Sequence, residues 1–519
     1  MASIKQLGLN PVQRQSLVIS LTAFFTGLLV IALISVLALI SIRGGAYFWP
    51  QPIYAVSYSQ GGITHKVLAQ RYLSDETERV FQLNYSDFHH PYGTQALVKE
   101  SDIVAESLAV ESAQIKLTDG RNLLATPMFL RTPAGDKESL DEYADVKRTV
   151  NQINNEIYRI SSEQLADIHN ALAALDAKDV AIDAPAREKL VAQFHRVQEK
   201  VIELEGQLSE YLLALTFSGS QTLFIKVSDI ATVTYVSQLN YVEKWQVVVQ
   251  NLITFLTESP KQANTSGGVF PALFGTILMV FLMTIIVTPF GVLAAIYLSE
   301  YAPDNGFTTA IRISVSNMAG VPSIVYGVFG LGFFVYSVGG SIDALFFSDS
   351  LPAPTMGTPG VFWAALTMAI LTLPVVIVAT EEGLRRVPEG LKAGSYALGA
   401  TKIETIMKTI LPIASPGIMT GVILAIARAA GEVAPLMLVG AVKFAPNLPF
   451  DGEFPYLHLD RQFMHLGVLI YDGAFHSQTD AKSASMMFAA CLLLLVVVFV
   501  LNVLAVILRT RLRKRYLQG

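Results

Sequence analysis

Charge is scarce in this sequence. Of 519 residues only 15% are Asp, Glu, Lys or Arg, against 52% hydrophobic, whereas soluble globular chains carry about 25% charged residues. That deficit excludes an ordinary soluble protein and points to a membrane chain whose charges are gathered into one part. Cysteine is nearly absent: Cys491, inside an apolar run, stands alone. No intramolecular disulfide can form, and thiols say nothing about compartment. A net charge of −5 leaves no basic excess to attract nucleic acid. A lysine is also missing where a nucleotide loop needs one. Residues 394–402, GSYALGATK, come close to the phosphate-gripping pattern G-x-x-x-x-G-K-[ST], but Ala400 follows Gly399 and Lys402 arrives two places late. Without an ammonium directly after the second Gly, and without a preceding buried strand, the stretch holds no nucleotide.

Six segments reach the ~20 apolar residues that a membrane helix needs: 17–42, 269–299, 312–338, 361–380, 413–442 and 485–508. The first is too long for a signal-peptide core, and SIRGGAYFWP lacks a small-x-small cleavage site, so it reads as an uncleaved anchor. Lys and Arg precede span one, fill the segment between spans four and five, and follow span six, while 339–360 has neither. The positive-inside rule then puts both termini and the GSYALGATK segment in the cytoplasm, and 44–265 outside.

That large insert reads as a domain of its own. Leu190, Phe194, Val197, Val201, Leu204, Leu208, Tyr211 and Leu215 repeat at alternating spacings of four and three, a heptad stripe. Val146, Val150, Ile153, Ile157 and Ile160 do the same, and Ile168, Leu172 and Leu175 resume after a phase slip. With the polar turn DAKDVAIDAPA between them, they predict an antiparallel helical hairpin over roughly 140–215 that interrupts a small β part. Heptad stripes are packing devices, so the insert reads as a structural or docking module. His89 and His90 lack a third ligand nearby and read as loop residues, not a metal site. Residues 241–256 set Val242, Trp245, Val249, Leu252 and Leu256 on one side, which suits either a helix in the membrane interface or a helix of the soluble domain.

Counting Asp, Glu, Lys, Arg and His, the interiors of the six spans hold two residues, both in the fifth: Arg428 and Glu432. A charge at mid-membrane costs at least about 2.5–3.5 kcal/mol and is tolerated where it meets a partner or a wet cavity. Two readings stand: a structural ion pair between helices, and a site on an anion pathway. Arg suits the second, since its planar fork of donors matches an oxyanion and stays charged. Pro289, Pro374, Pro435, Gly291 and Gly431 also lie inside spans, as fits a packed bundle with moving parts.

Residues 381–412, EEGLRRVPEGLKAGSYALGATKIETIMKTILP, are too long and too patterned for a plain connection. Pro388 opens a helix, Gly399 permits a sharp reversal, Ile403, Ile406 and Ile410 continue at helical spacing, and Pro412 closes the segment. Such a partly apolar knob is a docking element. It resembles the coupling loop of binding-protein-dependent ABC importer permeases: Gly399, Leu411 and Pro412 match, with Ile410 before the Leu-Pro, while Ala393 and Gly394 fall where that pattern has Glu and Ala. The missing Glu puts any salt bridge at that point in doubt. GGVFPALFGTILM, AAIYLSEYAP, AGVPSIVYGVFGL, ALGATKIETI and ARAAGEVAPL together resemble the permeases of phosphate-specific ABC importers, and RQFMHLGVLIYD is similar to their A-type subunit in a long form.

The resemblance implies an all-α polytopic membrane protein of six transmembrane helices with an α+β periplasmic insert. The expected parts are 1–43, an anchor; 44–265, the insert; 266–508, a permease core; and 509–519, a basic cytoplasmic tail. It implies a cell inner membrane transporter subunit and not an enzyme, with no cofactor. The implied partners are a sister permease in a heterodimer, two copies of an ATP-binding subunit, a periplasmic phosphate-binding protein, and phosphate itself. Arg428 and Glu432 fall on the family's charged pair in the path. Three rivals remain: the same machine for sulfate, molybdate or phosphonate; a membrane-anchored sensor or scaffold acting through the insert; and a self-sufficient secondary transporter, which the lack of further intramembrane carboxylates argues against.

Overall fold

Away from water a lone segment can satisfy its own N–H and C=O groups only as a helix, and the long apolar runs have become helices. The computed structural model describes residues 11–517, apart from 76–77, 87–89, 91–92, 139–141, 177–183, 218–221, 262–265, 349–351, 453 and 477–480. His89 and most of the polar hairpin turn lie outside the described residues. The chain divides into two compact units, Trp49–Asn251 and the remainder.

Among the described residues six helices are long and apolar enough to cross a membrane: Gln15–Ala46, Phe270–Tyr301, Ser323–Phe346, Val361–Arg385, Lys402–Gly431 and Ala484–Arg511. Four start and stop near the places expected; the third and fifth do not. The third was expected from residue 312, but there the chain makes a separate helix, Gly306–Met318, and the span begins at Ser323. Pro322 explains the break. It holds φ −54°, ψ 132° as the N-cap, and the residue before a proline is pushed out of helical geometry. Arg312 therefore lies outside the span, while Asp343 lies inside it, buried, accepting from the Met356 and Gly357 N–H groups at 2.7 and 2.6 Å. The fifth was expected to run through 442. Its helix ends at Gly431, Glu432 is extended at φ −81°, ψ 135°, and a short helix, Ala434–Val439, follows with Pro435 in its first turn.

We label the helices of this unit in chain order as α1 (Pro11–Ala46), α2 (Phe270–Ile296), α3 (Gly306–Met318), α4 (Ser323–Phe329), α5 (Val361–Arg385), α6 (Glu389–Ala397), α7 (Leu411–Gly431), α8 (Ala434–Val439) and α9 (Ala481–Leu517). The core lies among α2, α5 and α7, with Met279, Met283, Met368, Ala364, Ala425 and Ala429 fully buried. Small residues let the backbones approach, as membrane interfaces require. A Cβ on Gly417 would lie 2.6 Å from Gly383 Cα, and one on Gly421 2.9 Å from Ala379 Cβ.

The Trp49–Asn251 unit holds more strand than expected. β1 (Tyr54–Gln60), β2 (Ile63–Asp75), β3 (Val80–Tyr85), β4 (Gln95–Lys99) and β5 (Ile103–Leu108) form an antiparallel sheet ordered β4-β3-β2-β1-β5. β6 (Ala113–Leu117), β7 (Asn122–Thr132), β8 (Gly135–Lys137), β9 (Leu212–Thr216), β10 (Thr222–Lys226) and β11 (Ile230–Thr234) form a second, with path β10-β9-β7-β6-β11 and β8 beside β7. Alternating burial in β6 sets Ile115 into a core shared with Leu123 and Leu130 of β7 and with Val150 and Leu208 of the helical pair. That pair leaves the sheet after β8 and returns at β9. Its first arm is Tyr143–Arg159, a π turn Ile160–Leu165 and Ala166–Asp176, and the π turn is the physical form of the phase slip after Ile160. Its second arm, Pro185–Ser209, is shorter than the stripe suggested. Leu215 belongs to β9, paired across to Pro127 and Leu223.

Candidate functional site

Two constellations in the membrane unit carry chemistry. The first is the break in the fifth span. Arg428 occupies the last turn of α7, and Glu432 is the residue that ends it. A helix C-terminus carries a partial negative charge, so a cation in the last turn is favoured there. The helix end and Glu432 together offset part of the cost of placing a guanidinium among apolar helices. The pairing is loose: Arg428 Nε lies 3.6 Å from Glu432 Oε1, with the side chains 32% and 23% exposed. The buried Nε makes no hydrogen bond within the described chain. Native proteins rarely leave a buried donor unpaired without a reason.

The packing fixes the level of this pair. Gly417 faces Gly383 and Gly421 faces Ala379, an antiparallel register that, continued along the helices, sets Arg428 beside the middle of α5. Tyr326 of α4 lies within electrostatic reach of Arg428 and donates to the Met318 carbonyl at 2.8 Å. α4 also closes on α8: a Cβ on Gly327 would stand 2.7 Å from Pro435 Cα. Gly431, beside the pair, has open space where a Cβ would be. The broken helix thus presents an incompletely satisfied guanidinium, a carboxylate on an extended residue and an unfilled flank. That arrangement can hold an oxyanion weakly.

The second constellation is the segment 381–412. α5 ends at Arg385, Pro388 caps α6, and Gly399 turns the chain at φ +84°, a conformation that costs a residue with a Cβ ~1–2 kcal/mol. Thr401 then starts a new helix with a full capping box, its hydroxyl accepting from Glu404 N and Glu404 Oε2 accepting from Thr401 N at 2.9 Å. One expectation is corrected here. Pro412 does not close the segment, because Lys402–Gly431 is a single helical run. A π turn at Ile406–Ile410 precedes the proline and absorbs the hydrogen bond that Pro412 cannot make.

The two faces of the segment differ. Ile406 and Ile410 are buried against Ile296, Ile377 and Leu384, and Leu411 packs beside them. Leu398 (91% exposed), Ile403 and Met407 face outward, as do Ala393, Gly394 and Gly399, while Ala400 and Pro412 are half-buried. The outward face sets apolar Leu398, Ile403 and Met407 and small Ala393, Gly394 and Gly399 among exposed Lys402, Glu404 and Lys408, a mixture that suits docking by shape and charge together.

Sequence reading missed what grips this segment from within. Lys392 Nζ lies 2.9 Å from Glu300 Oε1, with the side chains only 13% and 9% exposed. Lys402 Nζ stands 4.4 Å from the Tyr301 ring centroid, a cation–π contact. Arg312 pairs with Glu381 at 2.9 Å and donates to the Leu298 carbonyl at 2.7 Å. These contacts bind α6 and its flanks to the end of the second span. Lys392 and Glu300 lie 92 residues apart, and Lys402 and Tyr301 lie further still, and the available signal was only that each charge sits beyond an apolar run.

Comparison with known proteins follows the same lines. Residues 277–514 match the family described as "Binding-protein-dependent transport system inner membrane component". The chain is 34% identical over 247 residues to the phosphate transport system permease protein PstA 1 of Mycobacterium tuberculosis (strain CDC 1551 / Oshkosh), covering 47% of this chain and 71% of that protein. It is 32% identical over 256 residues to the phosphate transport system permease protein PstA of Yersinia pestis, covering 49% and 77%. Among solved structures, inward-facing MetNI methionine ABC transporter is similar at 19% identity and a TM-score of 0.32, covering 47% of this chain and 94% of that one; that likeness is too slight to carry an argument.

Proposed function

Since this chain belongs to the family of binding-protein-dependent transport system inner membrane components, we propose that it is the permease subunit through which an ATP-driven importer moves inorganic phosphate across the inner membrane. Its matched relatives are permease subunits, not enzymes, and several are named for phosphate transport. The observation that carries the reading to particular residues is the guanidinium of Arg428, in a broken span, with a buried Nε unsatisfied and an acidic partner 3.6 Å away.

In this reading the bundle alternates between outward and inward access, and Arg428 contacts the anion in transit by charge-assisted hydrogen bonds. Glu432 holds the fork while the path is empty and repels a fully ionised oxyanion enough to let it leave, since a pathway site has to release what it binds. The outward face around Ala393, Gly394, Leu398 and Gly399 seats in a separate ATPase subunit. Movement there passes through Lys392–Glu300 and Arg312–Glu381 to the spans. A sister permease, two ATP-binding subunits and a periplasmic phosphate-binding protein complete the machine. The Lys/Arg pattern of the short segments supports cytoplasmic termini and a periplasmic insert.

Competition tests the substrate. In membranes carrying the assembled complex, unlabelled phosphate should suppress labelled phosphate uptake, and equimolar sulfate, molybdate or phosphonate should not. No uptake of labelled phosphate, with uptake of one of those anions in labelled form, assigns the machine to that oxyanion instead.

A further inference from the structure

The helix that leads toward the second span, Tyr241–Thr257, turns its apolar side outward. Val242, Trp245, Val249 and Leu252 recur at spacings of three, four and three and are all exposed, with Tyr241 and Ile253 beside them. The opposite side is covered and mixed: Lys244, Val247 and Val248 are half-buried, Phe255 is buried, and Asn251 Oδ1 accepts from Lys116 Nζ at 2.6 Å. A surface helix in water does not carry a continuous apolar stripe on its exposed side.

Short lengths of chain tie this helix to the two membrane crossings that flank it. Trp49 packs on Trp245 and Tyr241, with ring centroids 5.7 and 6.1 Å apart. It follows Ala46, the last residue of the first span, by three residues, at most about 10–11 Å of extended chain. Further along the same helix, Phe255 packs on Tyr47 and Phe48 at 5.7 and 5.3 Å. The Phe255 carbonyl accepts from Val269 N at 2.8 Å, one residue before the second span begins at Phe270. The polar layer of a bilayer leaflet is roughly 5–8 Å deep, so these tethers hold the helix at the membrane boundary. Trp and Tyr favour that layer, and an apolar stripe beside them favours the upper acyl chains.

We infer that Tyr241–Thr257 lies in the interfacial layer of a phospholipid bilayer, with Val242, Trp245, Val249 and Leu252 immersed in lipid. The occupant of the stripe is lipid and not a second protein, because the stripe bears no charge of its own and is covalently continuous with two crossings. This placement of the helix does not depend on what the permease carries.

The chain has three tryptophans, and the third, Trp363, is buried in the bundle, so fluorescence reads the stripe directly. The full-length chain is reconstituted in phosphatidylcholine vesicles as the Trp49→Phe/Trp363→Phe variant, leaving Trp245 alone. Bromine near the top of the acyl chains should quench Trp245 more strongly than bromine near the chain ends, and aqueous iodide should quench it little. A variant keeping Trp363 alone should show weak quenching by all three. Where Trp49→Phe unsettles the aromatic pair, Trp363→Phe reads Trp49 and Trp245 together at the same depth. Strong iodide quenching without lipid quenching would show a helix standing in water. Indifference to every quencher would show one covered by protein. Either result overturns the inference.

Discussion

Removing one partner of the Lys392–Glu300 pair asks whether α6 is held or merely resting. The ammonium is 2.9 Å from the carboxylate, and both side chains are largely out of water. Breaking such a pair costs roughly 3–5 kcal/mol, because the surviving charge stays buried without a counter-charge. Glu389, the other carboxylate near Lys392, is 86% exposed and compensates by only about 0.3–0.5 kcal/mol. A 3 kcal/mol loss is roughly a hundredfold in the docking equilibrium. In Glu300→Gln, amide hydrogen exchange across 389–398 of the purified chain should therefore quicken by about two orders of magnitude. The double reversal Glu300→Lys/Lys392→Glu should recover most of the protection, short by ~0.5 kcal/mol for the new repulsion from Glu389. Burial acts to lower the Lys392 pKa, but hydrogen bonds to Glu300 and Glu389 outweigh it, and the group sits above its ordinary 10.5. A raised pKa contributes stability that is complete below 10.5 and lost only as pH rises through the folded value. The effect should thus be unchanged from neutral pH to mildly alkaline conditions. Wild-type exchange rates in Glu300→Gln would refute the account of how this segment is held.

Three further outcomes follow from the same geometry. Gly399→Ala meets no neighbour within 4 Å but must hold φ +84°, so exchange around 394–400 should report a loss of ~1–2 kcal/mol from backbone strain alone, and Gly399→Asn a smaller one. Gly275→Ala would put a Cβ 2.1 Å from the Met464 carbonyl oxygen. It should lower the thermal midpoint of the detergent-solubilised chain by an overpacking cost of ~1–3 kcal/mol, while Gly27→Ala, with nothing within 4 Å of the new Cβ, should not lower it. Burial pushes the His465 imidazole down from 6.5 to about 4. Its contribution is complete above pH 6.5 and is lost as pH falls toward 4, up to ~3 kcal/mol. His465→Gln should flatten that acid limb of the unfolding midpoint.

Span existence was legible because twenty apolar residues in a row have few other fates. Span limits were not where a proline intervened. The chain around Pro322 is apolar on both sides, so hydropathy ran through a break that backbone geometry imposes, and Asp343 escaped notice as a residue inside a span. The same happened after Gly431, where the apolar stretch continues but the helix does not. Arg428 and Glu432 were visible because charge is conspicuous in an apolar run. That the helix ends between them was not visible, and it leaves their pairing loose. In the insert the heptad stripe located the helical pair, and its phase slip foreshadowed the π turn at Ile160–Leu165. Tyr211 and Leu215 lie past the helix end and kept the spacing by coincidence. Contacts such as Lys392–Glu300 join distant parts of the chain, and no local pattern encodes them.

The central claim is that phosphate passes Arg428. It is tested most directly by labelled phosphate uptake in cells lacking their own phosphate importer. The chain is co-expressed with its sister permease, ATPase and binding protein, as wild type and as Arg428→Gln at matched membrane levels. The account predicts uptake by the wild type and its loss in the variant. Equal uptake by both, or none by a wild-type complex shown to be assembled, would contradict it.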